Sequence, residues 1–192
     1  MSEPVSQATL RIVKVFWGLS ASLASKRHFP AIDWLVSYSL YSDRLGEWYS
    51  ENVAADYNSY RAAAMRVLQE EAQLDEIVRL VGMDALSPRD RLTMEAAKAI
   101  REDYLHQNAF HEVDTYTSLT KQYKMLKLII DYYRLGTEAL ERSVSLDDIL
   151  NIPVRERIGR SKYIPEERIA ELDEISAQMK AQIGELKARD SI

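Results

Sequence analysis

The chain has 192 residues, 46% hydrophobic and 29% charged, enough for one globular domain with a real core or for one domain plus an appendage. No apolar run approaches the roughly 18 residues of a spanning helix, and a formal net charge of -5 without a long basic stretch argues against binding nucleic acid through its phosphates. There is no cysteine, which removes disulfides, thiolate metal sites and cysteine nucleophiles, and no cleavable leader opens the chain, so a cytoplasmic location is the default expectation.

Six glycines and five prolines are few for this length, and sparse punctuation favours long, mostly helical elements. Residues 10–19, Leu-Arg-Ile-Val-Lys-Val-Phe-Trp-Gly-Leu, are instead rich in β-branched and aromatic side chains and predict a strand. No other segment reads as a good strand. A lone strand cannot satisfy its own backbone groups, so its partners are expected outside this sequence, with the segment poorly ordered or paired to another copy. Residues 20–48 carry Phe29, Trp34, Tyr38, Tyr41 and Trp48 around a His28-Phe29-Pro30 helix breaker, and read as a structured loop followed by irregular turns. Without further information, plain core is the simplest role for those aromatics.

Helical periodicity begins near Tyr57. Met65, Leu68, Ala72, Leu74, Ile77, Val78 and Val81 recur at three and four, and Gly82 suits the position after the helix end. Ser87 as N-cap, Pro88 at the first helical position and Asp90 in the first turn start a second helix, with Leu92, Ala96, Ala99, Ile100 and Tyr104 as its buried face. Residues 108–117 break the period. Ser118 then caps a third helix with an inner stripe of Leu119, Tyr123, Leu126, Ile130 and Tyr133, closing near Gly136. Ser145-Leu146-Asp147-Asp148 resembles an acidic capping box for a short fourth helix ended by Pro153. Pro165 opens a last amphipathic helix with Ile169, Leu172, Ile175, Met179, Ile183 and Leu186 on one side.

None of the glycines at 18, 46, 82, 136, 159 and 184 stands ahead of a Lys-Ser/Thr pair, so there is no P-loop to cradle a triphosphate. No Gly-x-Ser-x-Gly elbow is present, and His111-Glu112-Val113-Asp114 lacks the second histidine of a zinc helix; a loop or cap role suits His111 better than a metal. No acid, base and nucleophile converge in the sequence, which disfavours an unrelated small enzyme.

Arg27-His28-Phe29-Pro30-Ala31-Ile32-Asp33-Trp34, Ser37-Tyr38-Ser39-Leu40-Tyr41, Gln69-Glu70-Glu71, Ile77-Val78-Arg79-Leu80-Val81-Gly82, Asp84-Ala85-Leu86-Ser87, Gln107-Asn108-Ala109-Phe110-His111, Val113-Asp114-Thr115-Tyr116 and Lys121-Gln122-Tyr123-Lys124-Met125-Leu126-Lys127 occur in the order found in catalytic A subunits of archaeal and V-type ATP synthases. Across residues 2–167 the chain resembles the C-terminal portion of that family. The resemblance implies a mainly α fold: residues 1–50 would be the end of a nucleotide-binding domain, with a strand and an adenine-side loop, and residues 51–192 a C-terminal helical bundle. It also implies that Met1-Ser2 before Glu3-Pro4-Val5 is a start placed on a piece of a longer subunit.

The family's P-loop lysine, catalytic glutamate and magnesium ligands lie upstream, so no catalytic residue and no metal ligand is assigned here. ATP or ADP with magnesium belongs to the parent subunit, and this piece alone is expected to lack ATPase activity and to hold no cofactor. Phe29 and Pro30 match one wall of the adenine pocket, Ala109 and Phe110 the other, with Tyr104 and Gln107 on the same side. Residues 83–90, with Asp84, Leu86, Ser87, Pro88 and Asp90, match the loop that meets the rotor; a plain helix turn is the simpler alternative. The implied partners are the B subunits of the catalytic head and the central stalk of an ion-translocating ATP synthase peripheral to the membrane. A free-standing helical module that assembles with or regulates such a complex is the rival reading, and nucleic acid is not an expected partner.

Overall fold

The structure, a computed structural model, describes residues 4, 8–9 and 11–189. Leu10, the first residue of the expected strand, and Met1, Ser2 and Glu3 lie outside the described residues.

The strand β1 covers Val15–Leu19 and has a partner within the chain: β2, Ile32–Ser39, pairs with it antiparallel. The expectation of a solitary strand is thereby corrected. Ile32, Trp34, Leu35, Val36 and Tyr38 give β2 the side chains a strand favours, despite the proline just before it. The register runs Val15↔Ser39, Phe16↔Tyr38, then jumps to Gly18↔Asp33 and Leu19↔Ile32. The segment that bulges out presses Val36 onto Gly18, where a Cβ would lie 2.4 Å from Val36 Cγ2. Only glycine leaves room for that approach.

The stretch read as loop and turns also contains two helices. α1, Ala21–Ser25, is capped by Ser20, whose Oγ accepts from the Leu23 N–H, and α2 spans Ser42–Asn52. Helices longer than two turns therefore begin at Ser42, ahead of the composition shift near residue 50. Trp34 packs against the core, but Phe29, Tyr38, Tyr41 and Trp48 are between 37% and 51% exposed, so the plain-core reading fails for most of this cluster.

The body of the molecule is a bundle of α3 (Tyr57–Val81), α4 (Pro88–Ala99), α5 (Leu119–Glu141) and α8 (Glu171–Arg189), with the short α6 (Leu146–Leu150) and α7 (Val154–Gly159) between α5 and α8. α5 is central and packs against α3, α4 and α8. Ala63 and Ala64 on α3 and Ala96 and Ala97 on α4 are buried, and such small side chains let helices approach closely. The cap signals act as expected: Ser87, Ser118 and Ser145 accept the N–H groups of Asp90, Lys121 and Asp148, and Gly82 ends α3 at φ 87°.

Three element ends differ from expectation. α5 does not close near Gly136 but runs through it, because the missing Cβ admits Leu92 and Ile149; a Cβ there would meet them at 3.1 and 3.3 Å. Pro165 opens a 3₁₀ turn, Glu166–Arg168, and α8 starts only at Glu171. α4 is followed by a π-helical segment, Ile100–Leu105, so the expected inner face is buried at Leu92, Ala96 and Ile100 but only partly at Ala99 and Tyr104.

A polar clamp joins α3 to α5. The Tyr123 hydroxyl donates to Asp56 Oδ1 at 2.6 Å, the Tyr60 hydroxyl to Asp131 Oδ1 at 2.6 Å, and Lys127 Nζ donates to both Tyr60 Oη and Asp56 Oδ2. The Tyr123 bond, with Lys127, holds the Asp56 carboxyl below its ordinary range.

Candidate functional site: a loop wall and a helix junction

The first predicted site is built where two loops meet at the π-helical segment. The Phe29-Pro30 peptide is cis, and the Phe29 carbonyl accepts the Gln107 N–H at 2.7 Å. His28 anchors the first loop: its Nε2 lies 2.9 Å from the Arg101 carbonyl and its ring stacks on His106 with centroids 4.9 Å apart. Burial, with His28 alongside, pushes the His106 imidazole below its ordinary value.

The second loop holds itself by side chains. Gln107 Nε2 donates to the Asp114 carbonyl, the Asn108 N–H to Asp114 Oδ2, and the Phe110 N–H to Asn108 Oδ1. Thr115 Oγ1 donates to the Ala109 carbonyl, and His111 Nδ1 accepts the N–H groups of Val113 and Asp114, which makes His111 a loop cap as its sequence context favoured. Such self-bonding fixes a ten-residue excursion without regular structure.

The two phenylalanines are presented outward. Phe29 is 51% and Phe110 98% exposed, and Ala109 is exposed beside it. Their loops are brought together by the Gln107 to Phe29 bond, but the rings make no contact with each other among the described residues. Pro30, Tyr104 and Gln107 instead line a cavity of about 290 Å³ behind the loops, with Asp114, Gln122 and Met125 among its other walls. Tyr104 is partly buried, and that burial raises its hydroxyl pKa.

The second predicted site is the junction of α3 and α4. Residues Met83–Ala85 form a 3₁₀ turn, and Ser87 and Asp90 bond reciprocally, the Asp90 N–H to Ser87 Oγ at 3.1 Å and the Ser87 hydroxyl to Asp90 Oδ2 at 2.7 Å. Asp84, Ser87 and Pro88 are exposed, whereas Leu86 is only 8% exposed, so its side chain offers little surface at this junction. Around the junction Leu80 is 85% and Val81 62% exposed, which the acidic reading of this loop passed over.

Sequence reasoning also missed Arg101, Asp114 and Lys162. Arg101 Nε donates to both oxygens of Glu71 at 3.0 Å, tying the π-helical segment to α3. Lys162 Nζ donates to the Glu102 and His106 carbonyls. Asp114 lay within a quoted motif but carried no signal of burial; Lys162 sits in a polar stretch that reads as surface. Among the described residues no group of three or more His, Cys, Asp or Glu is placed to hold a metal ion, and no helix is long and apolar enough to cross a membrane.

A helical bundle with a short β-hairpin and an exposed aromatic loop wall is thus the architecture, and comparison with known proteins places it. The family model for the C-terminal domain of V and A type ATP synthase matches residues 46–150, and the model for the nucleotide-binding domain of the ATP synthase alpha/beta family matches residues 1–39. The chain belongs to the V and A type ATP synthase C-terminal domain family. It is 63% identical over 191 residues to a V-type ATP synthase alpha chain from Acetivibrio thermocellus, covering 99% of this chain and 32% of that one. A V-type ATP synthase alpha chain from Clostridium perfringens is 62% identical over 186 residues, covering 97% and 32%.

The chain therefore spans about a third of the length of these curated relatives. Both organisms are bacterial, whereas the resemblance read from the motifs included archaeal subunits. Among solved structures, a unique ATP synthase subunit, NeqB, from Nanoarcheaum equitans has the same fold, with a TM-score of 0.56 at 22% identity over 69% of this chain and 31% of that one.

Proposed function

We propose that this chain is the C-terminal part of the catalytic nucleotide-binding subunit of a rotary, ion-translocating ATP synthase, and that it contributes the adenine side of the nucleotide pocket and the surface that meets the rotor. In this reading residues 1–50 complete a nucleotide-binding domain and residues 51–192 form the helical domain. The observation that carries it is the 2.7 Å bond from Gln107 to Phe29, which sets two loops with outward aromatic rings side by side. An exposed ring face suits a purine plane, because stacking recognises the base without demanding a charge. ATP or ADP would place its base there, while its phosphates and magnesium would be held by residues outside this stretch. The B subunits and the central stalk are the partners this assignment requires, and the complex would sit against the membrane without this part entering it.

The test is nucleotide binding by the full-length subunit. Phe29→Ala and Phe110→Ala should each weaken binding by about 1–3 kcal/mol with magnesium dependence retained. Parental affinity in both single variants would remove the adenine role.

A further inference from the structure

Two lysines are buried in this acidic chain, and neither meets a carboxylate in an ion pair among the described residues. Lys121, at the start of α5, is 0% exposed and Lys162 is 7% exposed. Placing an ammonium out of water is costly unless donors and charge are compensated. Here the compensation comes from backbone oxygens: Lys162 Nζ donates to the Glu102 carbonyl at 2.9 Å and the His106 carbonyl at 3.0 Å, and Lys121 Nζ donates to the Lys162 carbonyl at 2.9 Å. Burial pushes Lys121 below its ordinary pKa, and nearby Glu166 and Asp114 counter it.

The carbonyls chosen by Lys162 are informative. A π-helical turn is wider than an α-turn and leaves its last carbonyls poorly satisfied, and such segments mark places where a helix is adapted to a site. Lys162 gathers one carbonyl from within the segment and one from the residue that follows it. The next residue, Gln107, gives its N–H to Phe29. Lys162 itself comes from the turn Ser161–Tyr163 that connects α7 toward α8. The other end is anchored as well, since the Ser118 N–H and hydroxyl donate to the two oxygens of Glu166. A continuous hydrogen-bonded line thus runs from α5 through Lys162 and His106 to the outward aromatic wall.

We propose that Lys162 is a positioning residue for nucleotide binding: it straps the end of the π-helical segment to the connection before α8, and so fixes the wall formed by Phe29 and Phe110 relative to the helical bundle. The inference rests on the adenine reading given above. Lys162 touches no base. Its effect travels through the His106 carbonyl, because a loop released there loses the fixed height from which Gln107 holds Phe29. A movement of the bundle would also reach the base through the same strap.

The experiment has two readouts. Hydrogen exchange of this chain follows the amides of His106, Gln107 and Asn108 in Lys162→Met and Lys162→Arg, and fluorescent ADP affinity is measured in the full-length subunit carrying the same changes, with Phe29→Ala and Phe110→Ala in parallel. Lys162→Met should speed exchange at these amides tenfold or more and weaken ADP about tenfold, with Lys162→Arg recovering part of both by restoring donors. If Lys162→Met does not fold, Lys162→Arg alone decides, since a displaced guanidinium should still shift both readouts. Unchanged exchange overturns the strap, whatever the phenylalanines do. Faster exchange with parental affinity, while the phenylalanine variants lose binding, overturns the positioning role and leaves the adenine reading standing. Parental affinity in both phenylalanine variants instead removes the adenine reading, and the positioning role falls with it.

Discussion

Arg101 and Glu71 are joined by three contacts, Arg101 Nε to both carboxylate oxygens at 3.0 Å and Nη2 to Oε1 at 2.8 Å. The same arginine offers its carbonyl to His28 and to the N–H of His106, so one residue links α3 to both loops of the aromatic wall. With Glu71 only 12% exposed, truncating the arginine leaves a carboxylate poorly solvated. Arg101→Met should cost about 2 kcal/mol in urea unfolding, and Glu71→Gln on that background should cost little more, because paired deletions are not additive. Equal, additive losses would show that the two groups act independently.

Two glycines in helices give opposite expectations. Gly136 lies between Leu92 and Ile149, both 0% exposed and unable to yield, so Gly136→Ala should lose about 1 kcal/mol despite the better helix propensity of alanine. Gly184 on α8 has nothing within 4 Å of a built Cβ, and Gly184→Ala should gain about 0.5–1 kcal/mol. Thermal unfolding of the two variants against the parent decides both, and a stabilising Gly136→Ala would mean that the core can move.

His106 makes the wall sensitive to acid. It faces His28, Lys162, Asp114 and Glu102, and burial holds its pKa below the ordinary 6.5 in the folded chain. The unfolded chain therefore takes up this proton first as pH falls, so its contribution to stability is complete above about 6.5 and declines below that value through the folded pKa. NMR titration should place the His106 midpoint under 6.5, and His106→Gln should flatten the stability profile between pH 7 and 5. A midpoint above 6.5 would reverse the sign.

At the α3 to α4 junction, Ser87→Ala should cost about 1 kcal/mol through loss of the N-cap, whereas Asp84→Lys should change stability little because an exposed charge is well screened. In the proposed assembly a cysteine at Asp84 is expected to crosslink to the central stalk, and one at the buried Leu86 is not. Replacing residues 83–90 by a glycine-serine linker should lower torque while nucleotide binding persists. A linker variant that turns with full torque would remove the rotor assignment.

The sequence alone determined the helical bundle, its serine caps and the glycine at the end of α3, because these depend on local periodicity and on side chains bonding to backbone a few residues away. It also carried the family, through motifs that survive in order. The tertiary structure decided what depends on distant neighbours. β2 becomes a strand because β1 lies beside it, Gly136 stays inside a helix because Leu92 and Ile149 occupy its missing side chain, and Leu86 is buried although its neighbours are exposed. Lys162 is the clearest case: in sequence it is a surface cation, and only the fold shows its ammonium buried against the carbonyls of residues about 60 positions away, where desolvation is offset by hydrogen bonds that no local pattern encodes.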